Sequence, residues 1–125
     1  MSASPATAVT TAHANEVLLI GRLAADPVSR VLPSGDLLVS FRLVVARPPG
    51  QRRGSGSPVG RVATVDTLDC AAWRKDVQRS LTRMVTGDVL EVTGALRRRF
   101  WRTGGGAASR SEVEVARVRR LERAS

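Results

Sequence analysis

Residues 62–101 read VATVDTLDCAAWRKDVQRSLTRMVTGDVLEVTGALRRRFW, and the hydrophobic period changes twice within them. From Val62 to Trp73 the side chains alternate as in a strand: Leu68, Cys70 and Ala72 share one face, Thr67, Asp69, Ala71 and Trp73 the other. From Arg74 the apolar positions become Val77, Leu81, Met84 and Val85. That spacing is one face of a helix of about three to four turns, with Gly87 placed as its C-terminal cap. From Asp88 to Trp101 alternation returns, Val89, Glu91 and Thr93 opposing Leu90 and Val92, and Gly94 marks a sharp bend or bulge.

Outward from this strand–helix–strand passage, the flanks read as strands and turns. Val17 to Leu23 is a short apolar run rich enough in branched residues to be a strand. Asp26-Pro27 and Pro33-Ser34-Gly35 are turn signals that fence off Val28 to Leu32. Leu37 to Ala46 is a second strand, with Leu37, Val39, Phe41, Leu43 and Val45 on its apolar face and Ser40 and Arg42 on the other. Residues 47–61, RPPGQRRGSGSPVGR, have no apolar pattern and read as a long mobile basic loop. Downstream, Gly104-Gly105-Gly106 is a hairpin tip, and Glu112 to Leu121 the last strand. The order β-β-β-α-β-β predicts an all-β domain with one helix, a five-stranded OB-fold barrel with the helix between strands three and four. Gly21 and Gly94 are its bends; an α+β sandwich fits the same string less economically. The domain is placed at 15–122, after a disordered tail at 1–14 and before a short end at 123–125.

Charge and composition narrow the function. The 125 residues carry 20 Lys+Arg against 11 Asp+Glu, a net charge of +9, and Lys75 is the single lysine. Residues 97–125 hold nine arginines and three acids, whereas 61–96 are balanced at five and five. A positive field concentrated at one end attracts polyanions, nucleic acid ahead of acidic lipid; the bland alternative is a surface solvated by arginines through compositional bias. A membrane partner is not expected, because no apolar run approaches the roughly 18 residues of a span. The lone Cys70 excludes an internal disulfide framework or a cysteine-based zinc site, and reads as a buried, inert thiol. The lone His13 lies in the tail, which speaks against histidine-driven chemistry. With no Gly-rich phosphate loop and no histidine–carboxylate constellation, the sequence predicts no catalytic residue, metal ligand or cofactor. The tail lacks the basic start and apolar stretch of a secretory signal, so a cytoplasmic, nucleoid-associated protein is expected.

The most informative segment for chemistry is Leu96-Arg97-Arg98-Arg99-Phe100-Trp101. In a strand, Arg97, Arg99 and Trp101 share a face, two guanidiniums for phosphates followed by an indole for a base. The competing reading has Trp101 covering the barrel rim among solvated arginines. Leu96, Arg98 and Phe100 fall on the other face, where Phe100 reads as core. Trp73, at the end of its strand, is either a second stacking platform or a side chain packed under the helix. Arg52 and Arg53, in the long loop, are added as phosphate contacts. Leu18 and Ile20 are either an exposed patch for subunit pairing or barrel core.

Together, Val17-Leu18-Leu19-Ile20-Gly21-Arg22-Leu23, Asp26-Pro27, Arg30, Pro33-Ser34-Gly35 and Val39-Ser40-Phe41-Arg42-Leu43 resemble the opening of bacterial single-stranded DNA-binding proteins. The resemblance resumes at Cys70-Ala71-Ala72-Trp73-Arg74 and at Gly94 to Trp101, covering residues 15–121 apart from the loop. It implies an OB-fold that binds single-stranded DNA without sequence preference, cofactor or catalysis, as a homotetramer, in replication, recombination or repair. By position it carries Arg97, Arg99, Trp101 and Trp73 onto DNA-contacting strand positions, with Arg42 on the corresponding face. Thr67 stands where the family commonly has a stacking aromatic and Asp69 where it has a basic or polar residue. The end Leu121-Glu122-Arg123-Ala124-Ser125 lacks the family's acidic tip, so recruitment of enzymes through such a tip is not expected. The leading reading is a tail-less member that coats single-stranded DNA; the alternative is an assembly or regulatory subunit, a hetero-oligomer with a full-length relative and weak or no DNA binding of its own, in which Thr67 and Asp69 are signs of lost DNA contact. Arginines and stacked rings do not by themselves distinguish DNA from RNA.

Overall fold

The computed structural model of the chain describes residues 12–48 and 64–125. Over these run β1 (Val17–Leu23), β2 (Val28–Val31), β3 (Leu37–Ala46), β4 (Val65–Ala72), α1 (Lys75–Leu81), β5 (Val89–Thr103) and β6 (Gly106–Glu122). The strands hydrogen-bond in the order β1-β5-β6-β4-β3, and β1 pairs with β3 through Arg22 and Leu23, which closes a five-stranded barrel. This is the OB-fold barrel with its helix between the strands counted third and fourth from sequence. β2 is an addition to that expectation: four exposed residues pair with Leu37–Ser40 across the Pro33-Ser34-Gly35 turn and extend the sheet outside the barrel.

The core forms where the alternation of neighbouring strands coincides. Val39, Phe41 and Leu43 of β3 face Ala72, Cys70 and Leu68 of β4 in register, and all but Leu68 of these are buried. Leu90 and Val92 of β5, Val113 and Val115 of β6, and Leu23 of β1 complete the interior. Each such side chain contributes about 1.5–3 kcal/mol relative to exposure. Val77 and Leu81 of α1 and then Met84 pack against this cluster. Gln78, also buried, donates from Nε2 to the carbonyls of Leu37 and Ala72, both at 2.9 Å, and so ties the helix to β3 and β4.

The helix is shorter than the apolar spacing predicts. It ends at Leu81, and Val85 is exposed. Arg83 and Met84 donate to the carbonyls three residues back, tightening the chain out of the α-helical path. Gly87, at φ 94°, serves the turn into β5 rather than capping the helix. Asp88 holds that turn. Its Oδ2 accepts from Val85 N–H at 3.0 Å and from Arg120 at 3.4 Å, and its Oδ1 accepts from Ala124 N–H at 2.7 Å. The amides of Val85 and Ala124, and then Arg120, hold the Asp88 carboxyl below the usual carboxylate range. Asp26 is lowered too, chiefly by Thr86 N–H and then by the Thr86 hydroxyl. A carboxylate depressed in the folded state stabilises above its unfolded value of about 3.9, and that contribution is lost as pH falls through the folded value. The melting temperature is therefore expected to hold from neutral pH down to about 5 and fall below about 4. Asp88→Asn should lower Tm at neutral pH and flatten the acid limb, which thermal unfolding across pH will show.

The bends fall at the expected glycines. β1 passes from β5 to β3 at Gly21, where a Cβ would land on the Val44 carbonyl. The register of β5 against β6 shifts between Thr93 and Gly94, a bulge at the predicted position. Beyond it both strands run on past the barrel as a two-stranded arm, paired as far as Thr103 and Gly106. The last strand thus begins at Gly106, six residues before the Glu112 read from sequence. Asn15 steadies the arm where it leaves the barrel. Its amide pairs with Leu96 as a peptide would, Nδ2 donating to the carbonyl and Oδ1 accepting from the N–H, both at 2.8 Å.

Candidate nucleic-acid interface

Register alone assembles the site. On β3 and β4, Ser40 lies opposite Ala71 and Arg42 opposite Asp69, all pointing away from the core. Cys70 and Ala71 of β4 meet Val113 and Glu114 of β6 in parallel, which carries the outer face onto β6. There Glu112, Arg110 and Ala108 stand opposite Arg97, Arg99 and Trp101 of β5. Arg42, Arg97, Arg99 and Trp101 therefore share one outer surface. Trp73 joins them half-buried: the Arg99 guanidinium carbon lies 5.4 Å from its ring centroid, a cation–π contact. Trp101, 46% exposed, stands further along the arm. Arg52 and Arg53 lie outside the described residues.

Two grooves mark this surface. One, of about 940 Å³, is lined by Trp73, Arg74, Arg97, Glu114 and Glu16. The other, of about 490 Å³, lies between Arg30 and Leu38 on the β2–β3 side and Arg99, Trp101 and Arg110, with Phe100 also on its border. Arg30 and Arg110 were not among the site residues read from sequence. Arg110 would follow from extending the alternation of Val113 and Val115 backwards past Glu112, since 110, 112 and 114 then share the outer face.

The arginines of this face are met by carboxylates. Arg97 pairs with Glu114 at 2.8 Å, Arg99 with Glu112 at 3.1 Å and Arg42 with Asp69 at 3.2 Å. Asp69 also lies 3.9 Å from Arg110. Glu112 is only 8% exposed, so Arg99 is the partner that offsets its burial. Arg97–Glu114 and Arg42–Asp69 are open to water, where such pairs contribute about 0–1 kcal/mol. A phosphate can compete for these guanidiniums at small cost.

Three expectations about particular residues meet different outcomes. Phe100 is not core: it is 72% exposed, on the far side of the arm from Trp101, beneath the Arg98 guanidinium at 5.8 Å. The inward-facing alternation continues there, but the barrel beneath it has ended. Leu18 and Ile20 point outward from β1, at 61% and 48% exposed, so the barrel-core alternative for them fails. Cys70 is buried, and burial foremost, then Asp69 and Glu112, pushes its thiol up to about 12. A disulfide reagent at neutral pH should leave the folded protein unmodified and titrate one thiol after denaturation.

A closed five-stranded barrel with one helix between its third and fourth strands defines the class of OB-fold domains. Residues 14–121 match the Single-strand binding protein family, and the chain belongs to that family. It is 29% identical over 109 residues to a single-stranded DNA-binding protein of Oceanobacillus iheyensis, covering 86% of this chain and 63% of the relative. To the single-stranded DNA-binding protein of Deinococcus radiodurans it is 30% identical over 110 residues, 87% of this chain and 35% of that one. The chain thus spans less than two thirds of these relatives. Among solved structures, a Plasmodium falciparum SSB in complex with ssDNA superposes with a TM-score of 0.72 at 18% identity, covering 91% of this chain and 100% of the other. No helix among the described residues is long and apolar enough to cross a membrane.

Proposed function

We propose that this chain binds single-stranded DNA without sequence preference through the outer face of β3, β4, β5 and β6, with no catalysis. The observation that carries the reading is one surface on which Arg97, Arg99 and Trp101 follow one another along β5 with the Trp73 ring beneath the Arg99 guanidinium. The relatives named above carry that function in their names, and the solved relative is described in complex with ssDNA. Arg97, Arg99 and Arg42 meet phosphates, the two indoles stack on bases, and Arg52 and Arg53 add positive charge from the loop. Replication, recombination or repair are the processes such coating serves, in the cytoplasm at the nucleoid. A homotetramer is the assembly the resemblance implies, and Leu18 and Ile20 on β1 are the apolar patch that would join copies.

Arg97→Ala with Arg99→Ala tests the phosphate contacts. Each phosphate neutralised on a single strand contributes about 0.7 to the slope of log K against log salt. The double variant should therefore flatten the slope by about 1.4. An unchanged slope in folded protein removes these arginines from the contact.

A second reading has its own observation. Because Asp69, Glu112 and Glu114 hold Arg42, Arg99 and Arg97, the face is partly neutralised from within. A subunit that pairs with a full-length relative, and binds DNA weakly by itself, fits that pairing. Co-purification of mixed oligomers, with no oligo-dT binding by the isolated chain, would favour it.

A further inference from the structure

On the outer face of the sheet the acids follow the arginines, strand by strand. Glu114 and Glu112 of β6 stand opposite Ala95 and Arg97, and each reaches the arginine two residues further along β5. Glu114 meets Arg97 at 2.8 Å and Glu112 meets Arg99 at 3.1 Å. Asp69 of β4 turns one oxygen to each neighbouring strand: Oδ1 accepts from Arg42 of β3 at 3.2 Å, and Oδ2 lies 3.9 Å from Nε of Arg110 of β6. All four arginines thus have a carboxylate at ion-pair distance. Among the described residues, Arg22 on β1, Arg79 on α1 and Arg117 on β6 form no ion pair. Glu112 is buried, which leaves it no room to swing aside when another anion approaches Arg99.

We propose that Asp69, Glu112 and Glu114 are specificity-determining residues, which make this face prefer an unpaired strand by rejecting duplex DNA. Four arginines against three carboxylates leave the face weakly positive, although the chain carries +9. The attraction that every polyanion shares is thereby reduced. That attraction ignores strandedness and grows with charge density, which in a duplex is about twice that of one strand. A fixed carboxylate repels a phosphate brought to its arginine, and such a repulsive element separates two ligands when only one of them can avoid it. A single strand turns its backbone to set phosphates clear of the carboxylates, and its bases are open to Trp73 and Trp101. A duplex holds two backbones rigid and keeps its bases paired inside. The inference rests on the proposed binding through this face and adds the residues that restrict what binds there.

The test follows anisotropy of labelled oligo-dT of about 16 nucleotides, the upper end of what one OB-fold occupies, and of a mixed-sequence duplex of equal length. The full chain is compared with two variants of equal charge change, each checked for its fold by circular dichroism. Asp69→Asn/Glu114→Gln removes two partly exposed carboxylates from the face and keeps their shape. Glu91→Gln/Glu122→Gln is the control and removes two from elsewhere, one of them the partner of Arg119. Wild type should favour oligo-dT. The face variant should bind the duplex roughly ten-fold tighter or more, and oligo-dT only roughly two- to five-fold tighter, so that the preference shrinks. The control should keep the wild-type preference. Should the double face variant fail to fold, Asp69→Asn and Glu114→Gln singly are each expected to narrow the preference in part. A gain on duplex no larger than the gain on oligo-dT overturns the inference. So does an equal shift in the control, which would trace the effect to net charge. Wild type that does not bind oligo-dT brings down the reading of the face and this inference together; wild type that prefers oligo-dT, with the face variant keeping the same preference, removes this inference alone.

Discussion

Trp101→Ala will weaken single-strand binding by about 1–3 kcal/mol, a loss of roughly five- to 150-fold in affinity. Trp101 stands on the arm, beyond the barrel, opposite Ala108 in the β5–β6 ladder, and takes no part in the core. Its removal therefore takes away a stacking surface without opening a cavity. The salt slope should stay near that of wild type, because the indole neutralises no phosphate. Trp73 remains as the reporter of folding and binding. Unaltered affinity in a folded variant would mean that the indole only shields the rim, the competing reading of its position.

Gly94→Ala will destabilise the barrel more than any surface change. A Cβ at this position would land on the Glu114 carbonyl oxygen and 2.9 Å from its carbon. Those atoms are backbone, fixed by the pairing of Ala95 with Glu114 and Leu96 with Val113, so they cannot move aside as a side chain would. The cost should exceed the about 1–3 kcal/mol of ordinary overpacking and lower Tm by roughly 10 °C or more. Gly105→Ala is the control: a Cβ there meets nothing within 4 Å, and stability should change by no more than about 0.5 kcal/mol. Equal melting temperatures for the two variants would contradict the close approach at Gly94.

Local alternation made much of this molecule legible. Val39, Phe41 and Leu43 point inward because every second residue of a strand does, and the same rule places Arg97, Arg99 and Trp101 together on the outside. Gly94 could be read as a bulge because a glycine inside an alternating run has few other uses. What escaped depends on partners distant in sequence. β2 has four residues, all exposed, and exists only because β3 offers it an edge. The pattern at Leu96 and Phe100 is that of a core strand, yet burial needs a barrel beneath it, and the barrel ends before the arm does. The helix overran its true end because Met84 is buried by a tightened turn that keeps the helical spacing for one more residue. The pairing of Arg97 with Glu114 and Arg99 with Glu112 depends on the register of β6 against β5, which no local pattern encodes.

The central claim is that the surface bearing Trp73, Arg97, Arg99 and Trp101 receives a single strand. Titration of the folded protein with oligo-dT at two salt concentrations, following tryptophan emission, tests it most directly, with a duplex of equal length beside it. The chain has two tryptophans and no tyrosine, so the signal comes only from the two indoles at issue. Quenching by oligo-dT, weakened at the higher salt and small or absent with duplex, is the predicted result. Folded protein that gives no change in emission with oligo-dT, and no binding by anisotropy, would contradict it and leave the partner-subunit reading in its place.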